Sequence, residues 1–317
     1  MDDILKKLKE KPIFKTLSDD MLISLAAIIK EESYQAGQHV YREDDEAMAM
    51  YLVQAGEVEI RKSFRRNPEK SKILTIAEEN DFFGELAFFG NARRSADAVA
   101  RTDTRLWKLD YDDLIRIVGS DPASAVNVLR VILRMLAPKL NSLIEEHAVL
   151  FELGRLIPKM QDVEELTRVV FDLVLDTVET EDTGMIAVLN VFNEEFDVYH
   201  RTGHVLEQHL EFDHPVARAL LETKSVLIVK NTLQDERFKE LSYLGCSFIA
   251  APVLYEDNLK GFIILANTTT ENAFHNSHMI FLKTVCTLMG EKLHDIERKK
   301  EDILKKRLNQ GKLSVDI

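Results

Sequence analysis

Between Phe83 and Ala100 the chain reads FGELAFFGNARRSADAVA, which sets Glu85 nine residues before Arg94, the second of two adjacent arginines, among glycine and alanine. A core has no use for those charges, and a solvent loop has no use for so much apolar residue around them. The residue types suit a cradle for a small charged molecule. An ionised Glu85 can only accept hydrogen bonds, so it suits a hydroxyl such as that of a sugar. Arg94 offers a planar fork that matches two phosphate oxygens. Gly84 lets a ligand approach the backbone. FFGELAFFG fits a short helical turn whose leading N–H groups suit anionic or hydroxyl oxygens. Ser95 and the Ala96 N–H add donors where small side chains leave room for a phosphate. A carboxylate for a ribose and an arginine for a phosphate describe a nucleotide.

The elements that must hold this stretch are short strands. From about Ser33 to Asp110, MAMYLVQAGEVEI alternates apolar and polar positions around a turn at Gly56, and SKILTIA and TRLWKLD repeat the signature. Ser18 is a good N-cap for a helix beginning at LSDDML. Short strands with helices at both ends predict a small β-barrel or roll. A long helix then opens at Asp121-Pro122. Its apolar positions, Val126, Leu129, Leu133, Leu136, Leu140, Leu143 and Leu150, step by threes and fours, with His147 at the remaining seam position. As a and d positions of a heptad repeat they predict a two-stranded coiled coil. Pro138 falls on the outer side of the seam, and Gly154 and Pro158 loosen the pattern. His147 reads as a polar residue tolerated near the end of the coil.

Beyond the coil the pattern becomes mixed. VEELTRVVFDLVLDTVE is an amphipathic helix, and MIAVLNVF with FDVYH forms a hairpin around Asn193-Glu194-Glu195. A short helix runs from His214-Pro215 to Thr223, SVLIV is a buried strand, and SFIAAPVLYEDNLKGFIILAN gives two strands across Glu256-Asp257-Asn258. A last helix lines up Met279, Leu282, Val285, Met289, Leu293 and Ile296 on one face, and the charged tail ERKKEDILKKRLNQGKLSVDI is expected to fray.

Composition narrows the function. A chain of 317 residues suits two domains, and its net charge of −13 argues against a general nucleic-acid or anionic-membrane binder. The basic run Arg61-Lys62-Ser63-Phe64-Arg65-Arg66, with Lys70 and Lys72, reads as a solvated hairpin loop. Cys246 and Cys286 lie far apart without CxxC spacing, which suits a reducing compartment, and Cys246 reads as a small buried residue rather than a redox thiol. No apolar run approaches the roughly 18 residues of a spanning helix, so a cytoplasmic protein is expected. Gly203 and turn residues deny His200, His204, His209 and His214 a shared helical face, so no metal is expected. P-loop, HExxH, kinase and GxSxG motifs are absent, and no enzymatic activity is expected.

Phe83-Gly84-Glu85-Leu86, followed nine residues after Glu85 by Arg94-Ser95-Ala96, resembles the phosphate-binding cassette of cyclic nucleotide-binding domains. That family includes bacterial catabolite activator proteins and the regulatory subunits of cyclic-AMP-dependent kinase. YLVQAGEVEI and AGQHVYRED resemble the strands preceding the cassette, and the match covers roughly Pro12 to Leu140. The resemblance implies that Glu85 holds the ribose 2′-hydroxyl, that Arg94 holds the cyclic phosphate, and that Gly84, Leu86, Ala87, Ser95 and Ala96 line the cradle. Two residues depart from the family pattern. Asn80 stands where a glycine is usual, though asparagine tolerates left-handed backbone. Asp97 stands where the family has threonine or a small residue, and its carboxylate is unfavourable beside a phosphate unless it points away.

The stretch from about Glu145 to Arg298 resembles a GAF domain, through HPVARALLETKSVLIVKNTLQDERF, GCSFIAAPVLYEDNLKGFIILAN and the last helix. This gives architecture more than ligand. Catabolite-activator relatives place a helix-turn-helix where the GAF-like region stands, so no DNA binding is expected. The expected fold is α+β. A jelly-roll-like β-roll cyclic nucleotide-binding domain (1–120) leads by a coiled-coil linker helix (121–154) to a GAF-like α/β domain with an antiparallel sheet (155–298) and a charged tail (299–317). The expected function is that of a cytoplasmic homodimeric sensor. It binds a cyclic nucleotide, cAMP rather than cGMP, and passes the bound state through the coil to the GAF-like domain and an unidentified partner. The alternative is a ligand-free scaffold acting by protein–protein contact.

Overall fold

The computed structural model describes residues 2–11, 14–15, 17–64, 67–85, 93–120, 122–178, 180–203, 205 and 207–313. The chain divides into two compact units, Met1–Ser142 and Leu143–Ile317.

In the first unit, helices α1 (Asp2–Glu10) and α2 (Asp19–Ile28) precede eight strands. These are β1 (Lys30–Tyr34), β2 (His39–Tyr41), β3 (Ala49–Ala55), β4 (Val58–Phe64), β5 (Asn67–Ala77), β6 (Phe82–Phe83), β7 (Asp97–Ala100) and β8 (Thr104–Asp110). They form two antiparallel sheets, ordered β1-β8-β3-β6 and β2-β7-β4-β5. Ser18 caps α2, its side chain accepting the Met21 N–H. The alternation along β3 serves two cores, because successive side chains leave a strand on opposite faces. Ala49, Tyr51 and Val53 cluster with Val58, Phe83, Ala98 and Leu106 of the roll interior. Met50 and Leu52 cluster instead with Leu22, Leu25 and Trp107 in the helical layer. Gly56 makes the turn that follows: its φ is +88°, and a Cβ there would lie 2.5 Å from the Asp103 carbonyl oxygen.

The basic run is corrected. Arg61, Lys62, Ser63 and Phe64 belong to β4, with Arg61 opposite Ile73 and Lys62 opposite Lys72 of β5, rather than to a loop. A ribbon with a solvated face can be as polar as a loop, so composition did not separate the two. Arg65 and Arg66 lie outside the described residues.

β8 runs directly into α3 (Tyr111–Ser120), and α4 (Pro122–Leu156) follows with proline at its first position. α4 is one helix of 35 residues, continuous through Pro138 and Gly154; Asp121, its expected cap, lies outside the described residues. Val131 and Leu136 pack against the helical core of the first unit. Val126, Leu133 and Leu140, seven residues apart, are 55%, 54% and 58% exposed, and the next position in that series, His147, is exposed as well. The side chains of Leu129 and Leu143 lie outside the described set.

The second unit adds α5 (Val163–Thr177), β9 (Thr183–Asn190), β10 (Glu195–Thr202), β11 (His209–Glu211), α6 (Pro215–Thr223), β12 (Leu227–Val229), β13 (Ser247–Tyr255), β14 (Asn258–Asn267) and α7 (Asn276–Leu313). Its six strands form one antiparallel sheet, ordered β11-β10-β9-β14-β13-β12. α5 and α7 cover one face around Phe171, Ile249, Ile263, Phe281 and Met289. α6 and its neighbouring segments cover the other around Phe196, Leu220, Phe238, Phe248 and Phe262. With both faces covered, β13 and β14 read as nearly continuous apolar runs. Cys286 is buried, Cys246 is half-buried, and neither forms a disulfide.

The charged tail is helical rather than frayed as far as Leu313, where α7 ends, and residues 314–317 lie outside the described set. Lysine, glutamate and arginine are good helix formers without any apolar face, and Glu301 pairs with Lys305 one turn later at 3.4 Å.

Candidate functional site

Gly84 follows β6 with φ +79°, a left-handed conformation that favours glycine. A Cβ there would lie 2.7 Å from Arg94 Nη1, so the missing side chain is also what admits the arginine. Glu85 comes next and is half-buried. The Arg94 backbone is held by the segment after β2: its N–H donates to the Asp45 carbonyl and its own carbonyl accepts the Asp44 N–H, each at 2.9 Å.

The Arg94 side chain is only 4% exposed. Its Nη1 donates to the Gly84 carbonyl at 3.1 Å and its Nη2 to the Ala49 carbonyl at 2.7 Å. The guanidinium lies 4.0 Å from the centre of the Tyr41 ring and 5.7 Å from that of Tyr51, a favourable seat for a cation. Both rings pack with Phe83. Arg94 Nε is buried without a partner, and an unpaired buried donor costs about 1–3 kcal/mol. An anion with two oxygens would supply the acceptor it lacks.

Tyr111, the first residue of α3, donates from its hydroxyl to the same Gly84 carbonyl at 2.6 Å. Burial pushes its pKa up to about 12, against the opposing pull of the Arg94 charge. Burial raises Tyr41 still further. Both are therefore neutral phenols at physiological pH.

Ser95 is exposed and Ala96 is buried, and the Ser95 carbonyl accepts from Lys62 Nζ at 2.9 Å. Lys62 also pairs with Glu43 at 3.1 Å. The Asp97 carboxylate is engaged elsewhere. It accepts the Glu43 N–H at 2.7 Å and lies 4.0 Å from Arg61 Nε, so its charge is met by partners of its own. Asn80 adopts φ +75°, the left-handed backbone expected of it. Leu86 and Ala87 lie outside the described residues, as does most of the anticipated helical turn. Gly84 and Arg94 are thus in contact, with Glu85 adjoining and Ser95 and Ala96 leading into β7. Sequence reasoning missed Tyr41, Tyr51, Tyr111 and the Ala49 carbonyl. The Ala49 contact is made by backbone and left no trace in residue type.

In the second unit, His214 caps α6 by accepting the Val216 N–H at Nδ1, 3.3 Å away, while its Nε2 lies 2.9 Å from the Tyr243 hydroxyl. His209, Asp197 and Glu195 bring potential metal-ligand atoms within 4.8 Å of one another. Counting helical spacing overlooked this grouping, which arises because Asp197 and His209 stand opposite each other on β10 and β11. The His209 ring pairs with Asp197 at 2.8 Å.

Residues 31–121 match the family model of the cyclic nucleotide-binding domain, and residues 158–293 match that of the GAF domain. The chain carries a cyclic nucleotide-binding domain followed by a GAF domain. The nucleotide-binding domain is similar to a cAMP-dependent protein kinase regulatory subunit from Neurospora crassa, 30% identical over 112 residues, which is 35% of this chain and 28% of that protein. It is also similar to a CRP-like cAMP-activated global transcriptional regulator from Mycobacterium tuberculosis, 28% identical over 144 residues, 45% of this chain and 62% of the regulator. A cGMP-dependent protein kinase from Caenorhabditis briggsae is 25% identical over 117 residues, 37% of this chain and 16% of the kinase. The chain thus spans less than two thirds of each of these relatives. Both matched domains are regulatory, and no catalytic domain is identified. Among the described residues no helix is long and apolar enough to cross a membrane.

Proposed function

We propose that this chain is a sensor that binds a cyclic nucleotide, cAMP rather than cGMP, and signals its presence through a dimer. The observation that carries the reading is Arg94: a buried guanidinium with an unpartnered Nε, seated on tyrosines beside left-handed Gly84 and half-buried Glu85. Arg94 holds the cyclic phosphate and Glu85 accepts from the ribose 2′-hydroxyl. Gly84, Leu86, Ala87, Ser95 and Ala96 line the cradle. Similarity to a cAMP-activated regulator and a cAMP-dependent kinase subunit supports cAMP as the ligand, while similarity to a cGMP-dependent kinase keeps cGMP in the same titration.

The chain divides by function into residues 1–120, which bind nucleotide, the helix 121–154, the GAF domain 155–298 and the tail 299–317. Exposed Val126, Leu133 and Leu140 at steps of seven support pairing of α4 with a second copy. Nucleotide biases the arrangement of that pair only by its differential affinity for the two states. The pair passes the bias to the GAF domain and an unidentified protein partner. Two unpaired thiols support a reducing, cytoplasmic setting.

One observation favours a second reading, a ligand-free scaffold: two guanidinium nitrogens of Arg94 are engaged by the Gly84 and Ala49 carbonyls of the chain itself. Calorimetric titration of the full chain with cAMP and then cGMP separates the two, with Arg94→Ala alongside. The expected result is binding at about micromolar affinity or tighter, weakened at least about 30-fold by the substitution. No heat from either nucleotide in a folded protein favours the scaffold, and unchanged affinity in the variant overturns the assignment of Arg94.

A further inference from the structure

We infer that Tyr111 is the positioning residue through which the state of Arg94 reaches α3, an inference that rests on the nucleotide reading of the cradle. Three groups meet at one backbone oxygen. The Gly84 carbonyl accepts from Arg94 Nη1 and from the Tyr111 hydroxyl, and Arg94 also bonds to that hydroxyl. The Tyr111 backbone is fixed independently, its N–H donating to the Met48 carbonyl at 2.9 Å, one residue before the Ala49 carbonyl that Arg94 holds. Tyr111 therefore stands by its backbone on Met48, the residue before β3, and by its side chain on the cassette, and α3 begins at that residue.

A phosphate that meets the unpartnered Nε draws the whole guanidinium toward itself, and Nη1 and Nη2 with it, away from the Gly84 and Ala49 carbonyls. As Arg94 turns toward it, the Gly84 carbonyl is left to Tyr111 alone. The hydroxyl then does two things: it keeps a half-buried carbonyl satisfied in the liganded state, and it ties the start of α3 to wherever Gly84 moves. Ala49 opens β3 and is paired with Asp110 of β8, so it offers no such freedom. Gly84, left-handed and flanked by a two-residue strand, does.

The test is Tyr111→Phe in the full chain, a change that removes one oxygen and leaves the buried ring in place. Two quantities are read: affinity for cAMP and cGMP by calorimetry, and hydrogen exchange of peptides covering residues 111–120 with and without nucleotide. The expected result is a folded variant that binds about tenfold more weakly, since the liganded state now leaves a carbonyl unpaired. Its α3 exchange no longer responds to nucleotide, whereas that of the parent chain does. A ring that served only to fill space would leave the exchange response intact. If the variant keeps the parent's affinity or its α3 response, or if α3 in the parent is silent on binding, the relay is overturned while the nucleotide site stands. If the parent binds neither nucleotide, both fall together.

Discussion

At His214 a single imidazole meets both a helix end and a phenol. Accepting the Val216 N–H leaves Nδ1 without a proton, so the neutral ring carries its proton on Nε2 and donates to Tyr243. Burial lowers its pKa, opposed more weakly by the charges of Glu207 and Asp213. The unfolded chain then takes up a proton before the folded one does. The stability this histidine contributes is complete above about pH 6.5 and is lost as the pH falls through the lower folded value. In melting curves of the second unit, the parent chain loses stability between pH 7 and 5 beyond any loss in His214→Asn, because asparagine caps a helix without titrating. Parallel pH profiles for the two proteins would refute this. The cap was legible in His214-Pro215; the lowered basicity was not, since it depends on Tyr243 and the packing that buries both. The candidate cradle divides in the same way. Glu85 and Arg94 stood out as charges among small residues, whereas Tyr111 looked like any aromatic residue at the start of a helix.

β3 was legible as a strand before the turn at Gly56, but not from an apolar-polar alternation: both its faces are buried, Tyr51 toward the roll interior and Leu52 toward the helices, so Ala49 to Val53 is a continuous apolar run. Elements without an apolar stripe were not legible. The basic end of the β4–β5 ribbon read as a loop and the charged end of α7 as a frayed tail, since both are held by backbone pairing and propensity rather than by a buried face. α4 lies between these cases. Its heptad was visible in the sequence, but Leu136 packs against its own unit, leaving Val126, Leu133 and Leu140 as the outward series. If that series is the pairing face, Leu133→Lys with Leu140→Lys yields a monomer by light scattering, with the far-ultraviolet circular dichroism of the rest of the chain retained. A double variant that keeps the mass of a dimer would remove α4 from the interface.

For the molecule as a whole, the one tryptophan is a local reporter. Trp107 is fully buried in the helical core of the first unit and donates to Glu31 at 3.0 Å. Its fluorescence therefore follows unfolding of that unit while circular dichroism follows both. At a hundredfold excess over the dissociation constant, a ligand stabilises the state that binds it by about 2.7 kcal/mol. Saturating cAMP should accordingly raise the Trp107 transition by several degrees, and leave it unmoved in Arg94→Ala. A transition indifferent to nucleotide in the parent chain would contradict the sensor.

The unpartnered Nε of Arg94 sets durability against responsiveness. Arg94 Nε is a buried donor with nothing to receive it, which costs the fold about 1–3 kcal/mol. Any substitution that brought a carbonyl or carboxylate to that nitrogen would harden the resting chain, and the phosphate would then have to evict the newcomer. If Arg94 holds a phosphate as proposed, engineering for heat resistance at this position would weaken that binding by the same free energy it gained, which is the usual relation between a poised site and the stability of the protein that carries it.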